Sequence, residues 1–137
     1  MVIAVTLTLP RAHVDAIVAH ARAERPNECC GVIAGKDGRG TKLFKAVNAE
    51  HSPYRYSIDS RELLRIYREI DDNDWELLVI YHSHTHTPAY PSPTDLGLAG
   101  YPDAFYVLVS LEQEPPDVRA YRIRERAVSE EAIVVEP

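Results

Sequence analysis

Two histidines one residue apart, His82 and His84, stand directly after the apolar run Trp75 to Tyr81. If that run is a strand, its period of two puts both imidazoles on one face, side by side. Two neutral imidazoles on a rigid element make a bidentate clamp for a divalent metal, and zinc accepts such nitrogen donors readily. Asp95 is the candidate third ligand, because Thr85 to Pro91 reads as an irregular loop that can fold the next helix back against the histidines. Three protein ligands leave one tetrahedral position for water, the pattern of a catalytic zinc, which brings the pKa of that water to about 7. Iron or cobalt also suits two histidines and a carboxylate, and hydrolysis favours zinc.

Protons in such chemistry need a base, and Glu28 is the candidate. It directly precedes an apolar, small-residue run that begins with Cys29, Cys30 and Gly31. Ser92 lies three residues before Asp95, so its hydroxyl is expected near the metal, able to donate to an oxyanion on an attacked carbonyl. A serine followed by Pro93, with an acidic third residue, is equally a helix cap, and capping alone would account for it. His86 falls one step further along the loop and is read as a solvated histidine. Cys29 and Cys30, as strand neighbours, point to opposite faces, so at most one looks toward the metal, and both read as small core residues.

The elements that must position these residues follow from pattern. Residues 2 to 8 alternate as a strand, and Pro10 suits the first turn of a helix to about Glu24, with Val14, Ile17, Val18 and Ala21 at helical spacing. Pro26 ends it. A strand from Cys29 to Ala34, a turn at 36 to 40 and a strand from Thr41 to Val47 make a hairpin. Asp59 and Glu62 resemble a capping box ahead of a helix with the stripe Leu63, Leu64, Tyr67 and Ile70. The buried strand Leu77 to Tyr81 and a helix capped by Ser92 come next. Three strands follow: Phe105 to Leu111, Val118 to Ile123 and Ile133 to Val135. The expected fold class is α/β, a mixed sheet flanked by helices.

The chain has 137 residues, 45% of them hydrophobic, which suits one domain over 1–137. Its formal net charge of -6 opposes the basic footprint that nucleic-acid binding requires. No apolar run approaches the roughly 20 residues that span a bilayer, so no membrane partner is expected. The N-terminus lacks a basic region and a small-residue cleavage site, and two adjacent cysteines make no disulfide scaffold. A cytoplasmic location is expected.

Together, Pro26-Asn27-Glu28-Cys29-Cys30-Gly31 and His82-x-His84, seven residues, Ser92-x-x-Asp95 resemble the JAMM (MPN+) metalloproteases, whose signature is a distant glutamate plus H-x-H-x7-S-x-x-D. The resemblance implies a sheet flanked by helices similar to cytidine deaminase, and zinc-dependent hydrolysis of bonds to the C-terminal glycine of ubiquitin-fold proteins. It implies His82, His84 and Asp95 as ligands, Glu28 as general acid and base, and Ser92 as oxyanion helper. A deaminase itself is disfavoured, since no P-C-x-x-C follows. The compact length and the segment from Pro26 to Gly35 look most like stand-alone bacterial members that release cysteine from a sulfur-carrier protein ending in Gly-Gly. Two alternatives remain: a general isopeptidase of ubiquitin-like modifiers, and a non-catalytic MPN scaffold, which would lack ligands that this chain has.

Overall fold

A computed structural model describes residues 6–137. The elements run β1 Leu7–Pro10, α1 Arg11–Glu24, β2 Cys30–Lys36, β3 Arg39–Ala46, α2 Ser60–Asp72, β4 Glu76–His84, α3 Pro93–Leu98, β5 Phe105–Ser110, β6 Asp117–Arg124, β7 Ala127–Glu131 and β8 Ile133–Glu136. The eight strands form one mixed sheet in the order β7-β6-β5-β4-β2-β3-β1-β8. The first-strand expectation from residue 2 lies partly outside the described residues; within them β1 reaches Pro10, which is the N-cap of α1 instead of its first helical residue.

Although β7 and β8 are the two edges of the sheet, only Ala132 lies between them. Consecutive Cα atoms are about 3.8 Å apart. The sheet must therefore curl enough to bring the end of β7 near the start of β8, and α1 packs on the resulting concave face against β1, β3, β4, β5 and β8. Ile17 and Ala21 of α1 are fully buried there with Ile33, Val79, Val107 and Val109. The convex face carries α2, whose Ile66 and Ile70 cover Val32 and Ala34.

Local chemistry accounts for most boundaries. The β2–β3 hairpin turns on Asp37 and Gly38, both at positive φ (53° and 80°), the two-residue turn whose twist matches that of the strands. Asp59 caps α2 by accepting the Arg61 N–H at 2.9 Å, but Glu62 does not complete a box: its carboxylate accepts the Val47 N–H at 3.0 Å and ties the helix to the end of β3. The buried arc of α2 is also turned from the expected one. Leu64 is 51% exposed while Ile66 is buried, because the helix rests on the sheet along Leu63, Ile66, Tyr67 and Ile70. β7 has no counterpart in the sequence reading. Its turn uses Glu125 and Arg126 at positive φ, without the glycine or asparagine that marks such turns, and it is an exposed, charged edge.

β4 extends three residues beyond the predicted apolar run, so His82, Ser83 and His84 are buried strand residues, all three paired with β5 and His82 also with β2. Opposite Tyr81 in β2 stands Gly31, where an added Cβ would overlap the Tyr81 ring. The Tyr81 hydroxyl lies 2.8 Å from His20 Nδ1 in the core beneath α1. A Gly31→Ala substitution is expected to displace that ring and cost about 1–3 kcal/mol of stability, as overpacking does. Thermal unfolding measures it, and the cost should shrink when Tyr81→Leu is present; an equal loss in both backgrounds would contradict the clash.

Candidate metal and proton-handling site

β2 and β4 pair antiparallel with Cys30 opposite His82. The contact continues past the start of β2: the Ser83 N–H donates to the Cys29 carbonyl at 3.2 Å, and the Cys29 N–H donates to Ser83 Oγ at 2.8 Å. Carried one step further, this register sets Glu28 opposite His84. Alternation then puts Glu28, Cys30, His82 and His84 on the convex face, with Cys29 and Ser83 on the α1 side. Asp95 arrives from α3. Ser92 Oγ accepts the Asp95 N–H at 3.1 Å and the Ser92 N–H donates to Asp95 Oδ2 at 2.9 Å, a complete capping box. Pro93 at the first helical position fixes the entry into the turn.

That cap aims one carboxylate oxygen at both imidazoles. Asp95 Oδ2 lies 3.0 Å from His84 Nε2 and 3.2 Å from His82 Nε2. His84 Nδ1 sits 2.8 Å from the Pro88 carbonyl, which only accepts, so Nδ1 carries the proton and the Nε2 lone pair is free for a metal. Ligand atoms of His82, His84 and Asp95 all lie within 4.8 Å of one another, and all three residues are buried. His82 Nδ1 is buried with no hydrogen-bonding partner among the described residues, and His82 Nε2 has only the Asp95 carboxylate near it. Two imidazole nitrogens and a carboxylate oxygen converging in this way, one imidazole otherwise unsatisfied, fit a divalent cation.

The electrostatics separate the two carboxylates. Burial raises Asp95, but its contacts with His82 and His84 and the Ser92 N–H outweigh burial and hold it well below the usual range. Burial pushes Glu28 up to about 8; the charge of His84 opposes this and that of Asp95 adds to it. One Glu28 oxygen, Oε1, is buried without a partner among the described residues. Burial lowers His82, keeping it a neutral donor. For His84 burial is outweighed by the hydrogen bonds to Asp95 and Pro88 and by the charges of Asp95 and Glu28, which raise it.

Cys30 faces the site and Cys29 the α1 core, and burial pushes each thiol up to about 12, far from a thiolate nucleophile. His86 is exposed and outside the cluster. Sequence reading passed over three participants. Ser83 ties β4 to Cys29, Tyr56 stacks on His82, and the buried Asn48 organises the loop that carries Tyr56. Tyr56 and Asn48 sit in an aperiodic segment, 47 to 58, and left no pattern to read. Beside His82, an apolar groove of about 340 Å³ is lined by Tyr56, Val32, Ile80, Leu98, Tyr101 and Tyr106.

Comparison with known proteins identifies the family. The family model described as prokaryotic homologs of the JAB domain matches residues 10–124. The chain belongs to this JAB family, the JAMM/MPN class, and is a hydrolase with the mixed-sheet α/β fold of that class. Among relatives, the CysO-cysteine peptidase of Mycobacterium tuberculosis is 50% identical over 125 residues, 89% of this chain and 86% of that protein. The desampylase of Pyrococcus furiosus is 31% identical over 133 residues, 96% of this chain and 91% of that one. A solution structure of a Desulfitobacterium hafniense protein superposes with a TM-score of 0.86 at 34% identity, over 96% of this chain and 93% of that chain. Among the described residues, no helix is long and apolar enough to cross a membrane.

Because Glu28 holds its proton to about pH 8 when folded, against 4.5 for an ordinary glutamate, the folded chain binds the extra proton between those values. Its contribution to stability is therefore full below about 4.5 and lost as pH rises toward 8, at up to about 1.4 kcal/mol per pH unit. In chelator-treated protein, Glu28→Gln should gain on the wild type steadily from about pH 5 to pH 8. Denaturant unfolding across that range measures the gap, and a pH-independent gap would contradict the buried, protonated carboxyl.

Proposed function

We propose that the chain is a zinc metallopeptidase that cleaves the bond after the C-terminal glycine of a ubiquitin-fold sulfur-carrier protein ending in Gly-Gly, releasing cysteine. The observation that carries the chemistry is the convergence of His82, His84 and Asp95 beside a buried carboxyl that keeps its proton near neutrality. The substrate class is supported by the 50% identity to a CysO-cysteine peptidase over most of both chains.

His82 and His84 through Nε2, and Asp95 through its carboxylate, would hold the zinc, which when bound polarises a carbonyl and makes water acidic enough to attack at neutral pH. The cap at Ser92 holds the Asp95 carboxylate in place for this. Glu28, close enough to feel the charges of His84 and Asp95, takes a proton from the attacking water in its ionised form, which the charge of a bound cation would favour over the protonated form that burial alone favours. It then gives a proton to the departing amine of cysteine as the carbon–nitrogen bond breaks. Ser92 Oγ already accepts the Asp95 N–H, so its own proton remains available for the oxyanion of the attacked carbonyl. An extended Gly-Gly tail suits such a site, having no side chains to clash with the buried groups around it.

The desampylase likeness supports a second reading, a broader isopeptidase of ubiquitin-like conjugates. Mass spectrometry of a carrier extended by Gly-Gly-Cys, incubated with zinc-loaded protein, separates the two. Loss of one cysteine residue is expected, with a short Gly-Gly-Cys peptide a much poorer substrate. An intact adduct alongside cleavage of lysine-linked conjugates would replace the first reading with the second.

The assignment of roles has its own test. Glu28→Gln should retain stoichiometric zinc while losing about 100-fold to 10,000-fold in turnover, whereas His84→Ala should lose both. Zinc lost from the Glu28→Gln protein, or kept at full stoichiometry by His84→Ala, would redraw the ligand set.

A further inference from the structure

Histidines that bind metals ordinarily donate their second ring N–H to a carboxylate or carbonyl, which orients the ring. His84 does so, through Nδ1 and the Pro88 carbonyl at 2.8 Å. His82 does not, since its Nδ1 is buried without a partner among the described residues. A histidine ring turns about a soft terminal torsion, so something else must set its plane. The face of Tyr56 lies against it, with centroids 4.4 Å apart and planes 24° from parallel.

Tyr56 belongs to no helix or strand. Its loop is closed by a bridge between Asn48 and Ile58 and shaped from within by Asn48, which is 7% exposed. Asn48 Nδ2 donates to the Arg55 carbonyl at 3.0 Å and Oδ1 accepts the Ser57 N–H at 3.2 Å, gripping the chain on both sides of Tyr56. The same Nδ2 donates to the Glu28 carbonyl at 3.1 Å. One buried amide therefore holds the backbone of Glu28 and the backbone that presents Tyr56.

We propose that Tyr56 is the positioning residue of His82, its ring doing by stacking what the Pro88 carbonyl does for His84, and that Asn48 locks Tyr56 and Glu28 into one frame. This rests on the reading of His82 as a metal ligand. The ring is what matters and the hydroxyl is not. Tyr56 also lines the apolar groove, so removing the ring opens space beside His82 in which the imidazole can turn.

The test is zinc affinity, read by competition with a chromophoric chelator, with the visible spectrum of the cobalt-substituted protein as a second readout. Tyr56→Phe should match the wild type in both. Tyr56→Leu should bind zinc about 10-fold to 100-fold more weakly, the usual cost of losing an orienting partner, and change the cobalt spectrum while the far-ultraviolet circular dichroism stays the same. If Tyr56→Leu does not fold, Tyr56→Met, which fills similar space without a ring, takes its place. Wild-type affinity in a folded ring-less variant, an equal loss in Tyr56→Phe, or failure of both ring-less variants to fold would overturn the proposal. Absence of zinc binding in the wild type would instead sink the metal reading on which it rests.

Discussion

The antiparallel register between β2 and β4 is the constraint from which the rest of the site follows. With Cys30 opposite His82, and Cys29 joined to Ser83 by two hydrogen bonds, the end of one strand brings Glu28 to the two histidines that end the other. Side chains alternate, so a slip of one residue would turn Glu28 into the core under α1 and bring Cys29 toward the imidazoles. That slip is opposed on both faces. Tyr81, Val79 and Ile33 pack against α1, while Val32 and Ala34 are covered by α2. The parallel pairing of β4 with β5, His82 beside Leu108 and His84 beside Ser110, fixes the strand from its other side.

Within that frame the environment assigns opposite characters to two buried carboxyls. Asp95 is reached by two imidazoles and by the N–H of Ser92, the N-cap of α3, so its charged form is compensated and its proton is lost. Glu28 is buried, one of its oxygens without a partner among the described residues, so its neutral form is favoured to about pH 8. Carboxyls pushed apart in this way are suited to different tasks, one to hold a cation and the other to carry protons. A backbone cap is a stiffer support for Asp95 than a side chain would be, since the capping box fixes the residue and its carboxylate together.

The curling of the sheet explains why the site lies on the convex side. α1 fills the concave face and its apolar residues are continuous with the buried half of β4. On the convex face α2 and α3 leave an interval, roofed by the loop around Tyr56, and the apolar groove lies there against Ile80 and Tyr106.

Much of this was legible in local pattern. The spacing of His82 and His84 on an apolar run, the sequence Ser92-Pro93 with an acid at Asp95, and the Asp37-Gly38 turn each act within a few residues, through alternation, capping and permitted φ, and the structure forms the corresponding strand, cap and hairpin. Glu28 was readable only from the residues around it, because a single carboxylate before a strand has no period. Other features have no local signature at all. Leu64 and Ile66 look equivalent until the angle of α2 on the sheet decides which is covered, and β7 pairs through a turn without glycine. Ser83, Asn48 and Tyr56 matter through partners 7 to 54 residues away, Arg55 and Cys29 among them. The sequence by itself determined the donors and the short-range geometry that aims them. Which side chains orient His82 and Glu28 was decided only when strands distant in the chain paired and brought an aperiodic loop down on the imidazole, because contacts of that kind depend on the curled sheet and not on any neighbour in sequence.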